Sequence, residues 1–211
     1  MITSMIKLQL SEALERNLSF NTKYFNYEYK VFYELEPVVH EIGKCLILKL
    51  NYAAIAVTNH LLERLLKLAL IHKSVGIGPK SLQQLNSIFA DPAQKYRSLS
   101  LGNSIEQCKK ENLLDSEEKD FLFKFVREIM RNGFSHGDPE KVLSEMPDEK
   151  KYYHTIPENT EWVETTLNPK LIPQLQATHM ESFANENAIP YSDYIFQLMQ
   201  KIESRLIGFR K

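Results

Sequence analysis

The chain has 211 residues, 43% of them hydrophobic and 25% charged, which is an ordinary balance for one globular domain with its own core. Its formal net charge of −1 excludes a uniformly basic surface, so nucleic-acid binding would need a local basic patch or one assembled from two chains. Cys45 and Cys108 form no paired motif and predict a reduced, cytoplasmic protein, and no apolar run reaches the roughly 18 residues of a membrane helix.

The first half of the chain is dominated by helical patterns. Met5–Asn17 is a short amphipathic segment, whereas the aromatic-rich Tyr24–Glu36 fits either a helix or a strand. Val38–His72 predicts one long helix, or two helices joined near Asn51. Apolar residues at three- and four-residue spacing define one buried face of its second half: Ala54, Val57, Leu61, Leu65, Leu68 and Ile71. The sequence VGIGP at 75–79 ends this helix.

Shorter helices follow in the middle of the chain. Ser81–Phe89 predicts a helix that the Asp-Pro pair at 91–92 ends, and Asn103–Glu111 predicts another. Asp115 or Ser116 can cap the next helix, whose first turn carries two glutamates that suit the positive end of a helix. We expect its apolar face to contain Phe121, Leu122, Phe125, Val126 and Ile129.

The pattern becomes irregular near the C-terminus and then recovers. Four prolines and several polar stretches between 146 and 188 predict loops, with one hairpin around Tyr152–Val163. A clear apolar stripe then predicts a last helix over 190–209. The sequence as a whole predicts an all-α fold. We expect a single domain, 1–211, with an N-terminal helical extension, a core of about 38–145 plus the last helix, and an irregular insertion at 146–188.

Two motifs that suggest a metal or a phosphate loop are incomplete. HEIGK, His40–Lys44, has a lysine where a zinc-binding HExxH motif needs its second histidine. GIGPKS, Gly76–Ser81, follows a helix rather than a strand and lacks the glycine spacing of a phosphate-binding loop. The sequence therefore predicts neither a metal site nor a cofactor.

The segment RNGFSH, Arg131–His136, closes the amphipathic helix that begins near Asp115. His136 can take and return a proton near neutral pH, and Arg131 presents a planar set of donors that matches phosphate oxygens. Such a pair suits cleavage of RNA in which the 2′-hydroxyl attacks the neighbouring phosphate without a metal. Either the segment is helical throughout, or Gly133 ends the helix in a left-handed turn.

These residues resemble the HEPN superfamily, whose ribonucleases carry an arginine, then usually a polar residue, and a histidine after four to six intervening positions. Arg131, Asn132 and His136 fall on that motif. HLLERLLKLALIHK resembles the family's first core helix, and the segment from SIEQCKK to the motif resembles its middle helices; together the likeness covers about 45–140. It implies a helical bundle that dimerises with the motifs facing each other and that cleaves RNA without a metal. Toxin–antitoxin, abortive-infection and other antiviral systems are the usual settings.

The leading hypothesis is therefore a homodimeric endoribonuclease in which His136 transfers protons, Arg131 stabilises the phosphate and Asn132 orients one of them or contacts RNA. An antitoxin or another defence protein is the expected protein partner, and no membrane is involved. The alternative is a non-catalytic HEPN module that binds RNA, nucleotide or a protein. A third hypothesis is a helical scaffold in which Arg131 pairs with Glu128 or Asp138 and His136 caps a helix.

Overall fold

The computed structural model describes residues 2–155 and 162–209. Helices make up 74% of the chain, beside one two-stranded sheet in the described part, which confirms the predicted all-α fold. None of the helices described is both long and apolar enough to cross a membrane. The elements are α1 (Ile2–Asn21), α2 (Glu36–Ile47), α3 (Asn51–Val75), α4 (Leu85–Arg97), α5 (Leu101–Lys110), α6 (Ser116–Phe121), a π-helix (Leu122–Ser135), α7 (Pro139–Val142), β1 (Lys150–Thr155), β2 (Trp162–Leu167) and α8 (Pro173–Gly208).

Helix α3 lies at the centre, where α2, α4, α5, α8 and the π-helix pack around it. The predicted region 38–72 forms two helices rather than one, because Lys49 adopts a left-handed backbone (φ 57°) between them. The expected face of α3 is buried or half-buried along its length. A second row is also fully buried, so one apolar face is too narrow a description of a central helix: Ile55, Leu62, Leu66, Ala69 and Leu70.

The aromatic-rich segment after α1 is neither a continuous helix nor a strand. It contains two short 3₁₀ turns, Thr22–Tyr24 and Tyr33–Leu35, joined by an irregular stretch. Glu203 of α8 holds that stretch by accepting hydrogen bonds from three consecutive backbone N–H groups at 30–32. The order of this segment therefore comes from a long-range contact and not from a local repeat.

Helix α8 begins at Pro173 and has 36 residues, so the predicted irregular insertion is wrong for 173–188 and the last helix is longer than 190–209. Proline suits the first turn of a helix, and Met180, Ala184 and Ala188 are buried at four-residue spacing before the predicted stripe begins. Pro190 lies inside the helix at an exposed position, so the carbonyl that lacks its N–H partner can bond to water. The predicted hairpin is confirmed as the antiparallel pair β1–β2.

Helix α4 also differs from its prediction, because it continues through Pro92 to Arg97 instead of ending at the Asp-Pro pair. Most of α4 lies at the surface, and Tyr96 is its buried residue. The carbonyl that lacks a partner because of Pro92 can therefore bond to water. A proline is a weaker stop signal in such a helix than in a buried one.

Candidate functional site

The predicted motif lies at the end of the π-helix, which continues from α6, and a local cap begins α6. Asp115 accepts a hydrogen bond from the Glu118 N–H, and Glu118 accepts one from the Asp115 N–H, as the predicted cap requires. Arg205 of α8 binds both carboxylates and the Leu113 carbonyl. These contacts hold the pKa of the Asp115 carboxyl below its usual value, with the backbone N–H bond as the main cause. The start of the helix is thus fixed to the bundle.

The π-helical winding changes which side chains are buried. Its residues bond from N–H to the carbonyl five positions earlier, and the last such bonds join His136 to Arg131 (3.1 Å) and Asp138 to Gly133 (2.8 Å). Buried residues recur every four positions: Leu122, Val126, Met130 and Phe134. The predicted face was partly wrong because it assumed α-helical spacing: Phe125 and Ile129 are half-buried and Phe121 is exposed. Long π-helices are rare, and π-bulges are frequent at functional sites.

Gly133 lies inside this helix and not in a left-handed turn, which resolves the two geometries left open by the sequence. The left-handed residue is Gly137 (φ 69°), after the helix has ended at Ser135. Gly133 instead permits close packing, because a Cβ there would lie 3.0 Å from Val142 Cγ2 and 3.1 Å from Lys141 Cβ. Glycine at this position lets α7 pack directly against the end of the π-helix.

We expect Gly133→Ala to lower the free energy of unfolding. Overpacking a tight contact costs about 1–3 kcal/mol, which exceeds the roughly 1 kcal/mol that alanine gains over glycine in a helix. Urea unfolding followed by circular dichroism measures the difference. Gly208→Ala is the matched control, because a Cβ at this other helical glycine meets nothing within 4 Å. Equal or greater stability of Gly133→Ala would contradict this close packing.

Arg131 is held by an acidic residue of α3 that the sequence did not single out. Its Nε donates to Glu63 Oε1 at 2.6 Å, and both side chains are about one-third exposed. Its Nη1 donates to Asn132 Oδ1 at 3.2 Å. The pairing is thus with Glu63 and not with Glu128 or Asp138, the partners expected for a simple scaffold. Glu63 fixes the Nε side of the guanidinium, and Nη2 makes no hydrogen bond to the described residues.

Arg131 and Asn132 line a cleft of about 370 Å³ together with Arg127, one turn earlier on the π-helix. The opposite wall is formed by the first residues of α5 and by Ser100 before it. Arg127 Nε pairs with Glu128 Oε1 at 3.2 Å, and its guanidinium lies 4.7 Å from the centre of the Phe123 ring. The structure therefore brings two arginines and one amide to the same cleft.

His136 follows the helix as its C-terminal capping residue, and its imidazole is exposed. That imidazole makes no hydrogen bond or ion pair to the residues the structure describes, and it is not among those that line the cleft. In an α-helix, residues five apart would point about 140° away from each other. The backbone N–H of His136 instead bonds to the Arg131 carbonyl, so the two residues lie about one π-helical turn apart along the chain. The motif thus places an exposed imidazole at the end of the helix that carries the arginines of the cleft.

A buried amide positions the end of the π-helix. Asn59 of α3 donates from Nδ2 to the Met130 carbonyl (2.9 Å) and to Ser135 Oγ (2.7 Å), and its Oδ1 accepts from Tyr191 OH (2.5 Å). Burial raises the pKa of Tyr191, so this hydroxyl remains a donor. Asn59 and Glu63 lie four apart on α3 and meet the site from the same helix face. Asn59 and Glu63 are two polar residues at helical spacing in a helix with many apolar residues. That pattern could have indicated that this face of α3 contacts a polar site.

Comparisons of the chain with protein-family models, with curated proteins and with solved structures gave no match. The structure itself shows an all-α protein with a cleft lined by two arginines, and an exposed histidine follows at the end of the helix that carries them.

Proposed function

We propose that the chain is a metal-independent endoribonuclease of HEPN type. The observation that carries the proposal is the cleft lined by Arg127 and Arg131, in which Glu63 anchors Arg131 and the exposed His136 follows at the end of the same helix. A single-stranded phosphodiester needs a cationic donor set and a proton-transfer group of this kind. Its cleavage by its own 2′-hydroxyl requires RNA.

The chemistry follows from the properties of the three residues. The 2′-oxygen attacks the phosphorus and loses its proton, and the bond from phosphorus to the 5′-oxygen breaks, so the products are a 2′,3′-cyclic phosphate and a free 5′-hydroxyl. His136 accepts the first proton or supplies the proton that the leaving oxygen takes. Arg131 donates from its Nη groups to the equatorial oxygens, whose charge grows in the transition state. Asn132 holds the Arg131 Nη1 in place.

One imidazole does not readily serve as base and acid in the same step, so the proposal includes a homodimer. A two-fold axis that brings two motifs together supplies two histidines and two arginines to one cleft. It also brings the arginines of both chains to one cleft, although the net charge of each chain is −1. The cellular setting follows the resemblance: a cytoplasmic toxin or anti-phage effector, with an antitoxin or another defence-system protein as its partner.

A non-catalytic module is the second candidate, and the Glu63 contact favours it. That carboxylate already neutralises the Arg131 guanidinium at 2.6 Å, as expected of an arginine that shapes a binding cleft rather than one that acts on a transition state. Such a module would bind RNA, nucleotide or a protein partner without turnover.

The deciding experiment is incubation of the purified protein with mixed RNA in excess EDTA, with analysis of the products' ends. We expect cleavage that leaves 2′,3′-cyclic phosphates. A substrate with a 2′-O-methyl group at every position is the matched control, because it keeps the phosphates and removes the nucleophile. Tight binding of RNA without any product would favour the non-catalytic module. Cleavage of the methylated substrate would contradict the 2′-hydroxyl mechanism.

A further inference from the structure

The arginine cleft holds more donors than one scissile phosphate requires. Arg127 and Arg131 are four residues apart on the π-helix and face the same cleft. Arg131 is nearer in sequence to His136, and Arg127 lies one turn further from it. A strand that follows the cleft can therefore place one phosphate at Arg131 and the neighbouring phosphate at Arg127.

Arg127 is held so that its outer nitrogens face the cleft. Its Nε pairs with Glu128 Oε1 at 3.2 Å, and the Phe123 ring supports the guanidinium from one side. Gly102 at the start of α5 leaves room for it, since a Cβ there would lie 3.4 Å from Arg127 Nη1. Arg131 is held more firmly, by a hydrogen bond from its Nε to Glu63. Both guanidinium groups are thus preorganised as donors, which lowers the ordering cost of binding an anion.

Three acidic residues determine the charge balance of the cleft. Glu106 also lines it and pairs with Lys119 Nζ at 2.9 Å. With Glu63 and Glu128 holding the arginines, three carboxylates balance Arg127, Arg131 and Lys119, so net charge does not attract a ligand. Binding therefore depends mainly on hydrogen bonds from the arginines to phosphate oxygens, and the surrounding charges change its affinity.

We propose that Arg127 is a phosphate-binding residue for the nucleotide next to the cleavage point, which makes the cleft the strand-binding subsite of the proposed ribonuclease. The ligand class is the sugar–phosphate backbone of single-stranded RNA. This assignment rests on the proposed function for its substrate, while its geometry stands on the cleft itself. Arg127 acts in binding and not in proton transfer, so its loss raises KM and leaves kcat nearly unchanged.

The test measures binding apart from cleavage. A fluorescent, fully 2′-O-methylated oligonucleotide is titrated with the protein, and anisotropy is recorded at several salt concentrations. We expect Arg127→Ala to weaken binding about tenfold, as loss of a charged hydrogen bond does, and to reduce the slope of log affinity against log salt by about 0.7. We expect Glu106→Gln to strengthen binding, which a damaged fold would not do.

The outcomes separate the two proposals. Unchanged affinity and salt slope for Arg127→Ala, or no binding by the wild type, would overturn the subsite, and the ribonuclease would stand if RNA were still cleaved in EDTA. Binding that depends on Arg127, without any cleavage, would support the subsite and reject the ribonuclease. Arg127→Lys is the control for folding: it keeps the charge, so it should retain most of the salt slope and lose part of the affinity.

Discussion

Replacing His136 with alanine is expected to reduce RNA cleavage by about 100- to 10,000-fold, the usual contribution of a group that transfers a proton in the transition state. The side chain is exposed and bonds to no described residue, so its removal should leave the free energy of unfolding unchanged. Initial rates under single-turnover conditions measure the loss, and circular dichroism checks the fold. The oligonucleotide that cannot be cleaved should bind with nearly its wild-type affinity.

His40→Ala is the matched control for removal of an imidazole. His40 lies on α2, where its ring stacks on Phe25, and it is expected to have no part in cleavage. A loss of activity from His136→Ala no greater than that from His40→Ala would reject the proposed role of His136.

Arg131→Ala should reduce the rate of RNA cleavage by about 100- to 1,000-fold, as removal of one transition-state donor does.

Mixed dimers test whether two chains share one site. In the proposed homodimer, Arg131→Ala and His136→Ala protomers that are unfolded together and refolded would give mixed dimers, in which one chain supplies the arginine and the other the histidine. We expect activity above that of either variant alone, because a shared cleft would again contain both groups. No recovery, or a wild-type protein that elutes as a monomer at micromolar concentration, would contradict a two-chain site.

Local signals predicted the parts of the fold that depend on neighbours in sequence. The cap predicted at Asp115 or Ser116 needs only neighbours in sequence, and it forms at Asp115, where Glu118 completes a capping box. The predicted stripe of α8 is likewise an i, i+3, i+4 pattern, and it is buried except at its end, where Phe209 is exposed. Pro92 misled because solvent can replace one lost hydrogen bond in a surface helix, which a rule for isolated helices does not include.

The sequence predicted only part of the candidate site, because contacts between residues far apart in the chain hold the rest. Arg131, Asn132 and His136 stood out by residue type, yet what fixes the first of them is Glu63, 68 positions earlier. The π-helical winding also escaped prediction, since apolar spacing was matched to an α-helix. Its i→i+5 backbone bonds place Arg131 and His136 about one turn apart along the chain, which α-helical spacing did not predict.

Replacing Glu203 with alanine is expected to lower the free energy of unfolding by about 3–5 kcal/mol, because several donors lose their acceptor and each buried one costs about 1–3 kcal/mol. Glu203 is 1% exposed, and its Oε1 accepts the N–H groups of Lys30, Val31 and Phe32 at 2.8–3.1 Å. Its Oε2 accepts the hydroxyl of Tyr27, whose pKa is raised by burial and by this carboxylate. Alanine would leave the buried N–H groups of Val31 and Phe32 without their acceptor, and it would also remove the partner of Lys30 and Tyr27, which are less buried.

The size of that effect should depend on the acceptor and not on the negative charge. Glu203→Gln keeps one oxygen for the three backbone N–H groups, and its amide can donate to Tyr27, so we expect a loss of about 1 kcal/mol. Tyr27→Phe removes only the contact to Oε2 and should cost a similar amount. Urea unfolding with a common slope would compare the three variants. If alanine cost no more than glutamine, the segment between the two 3₁₀ turns would be held by its own packing, and Glu203 would not be its anchor.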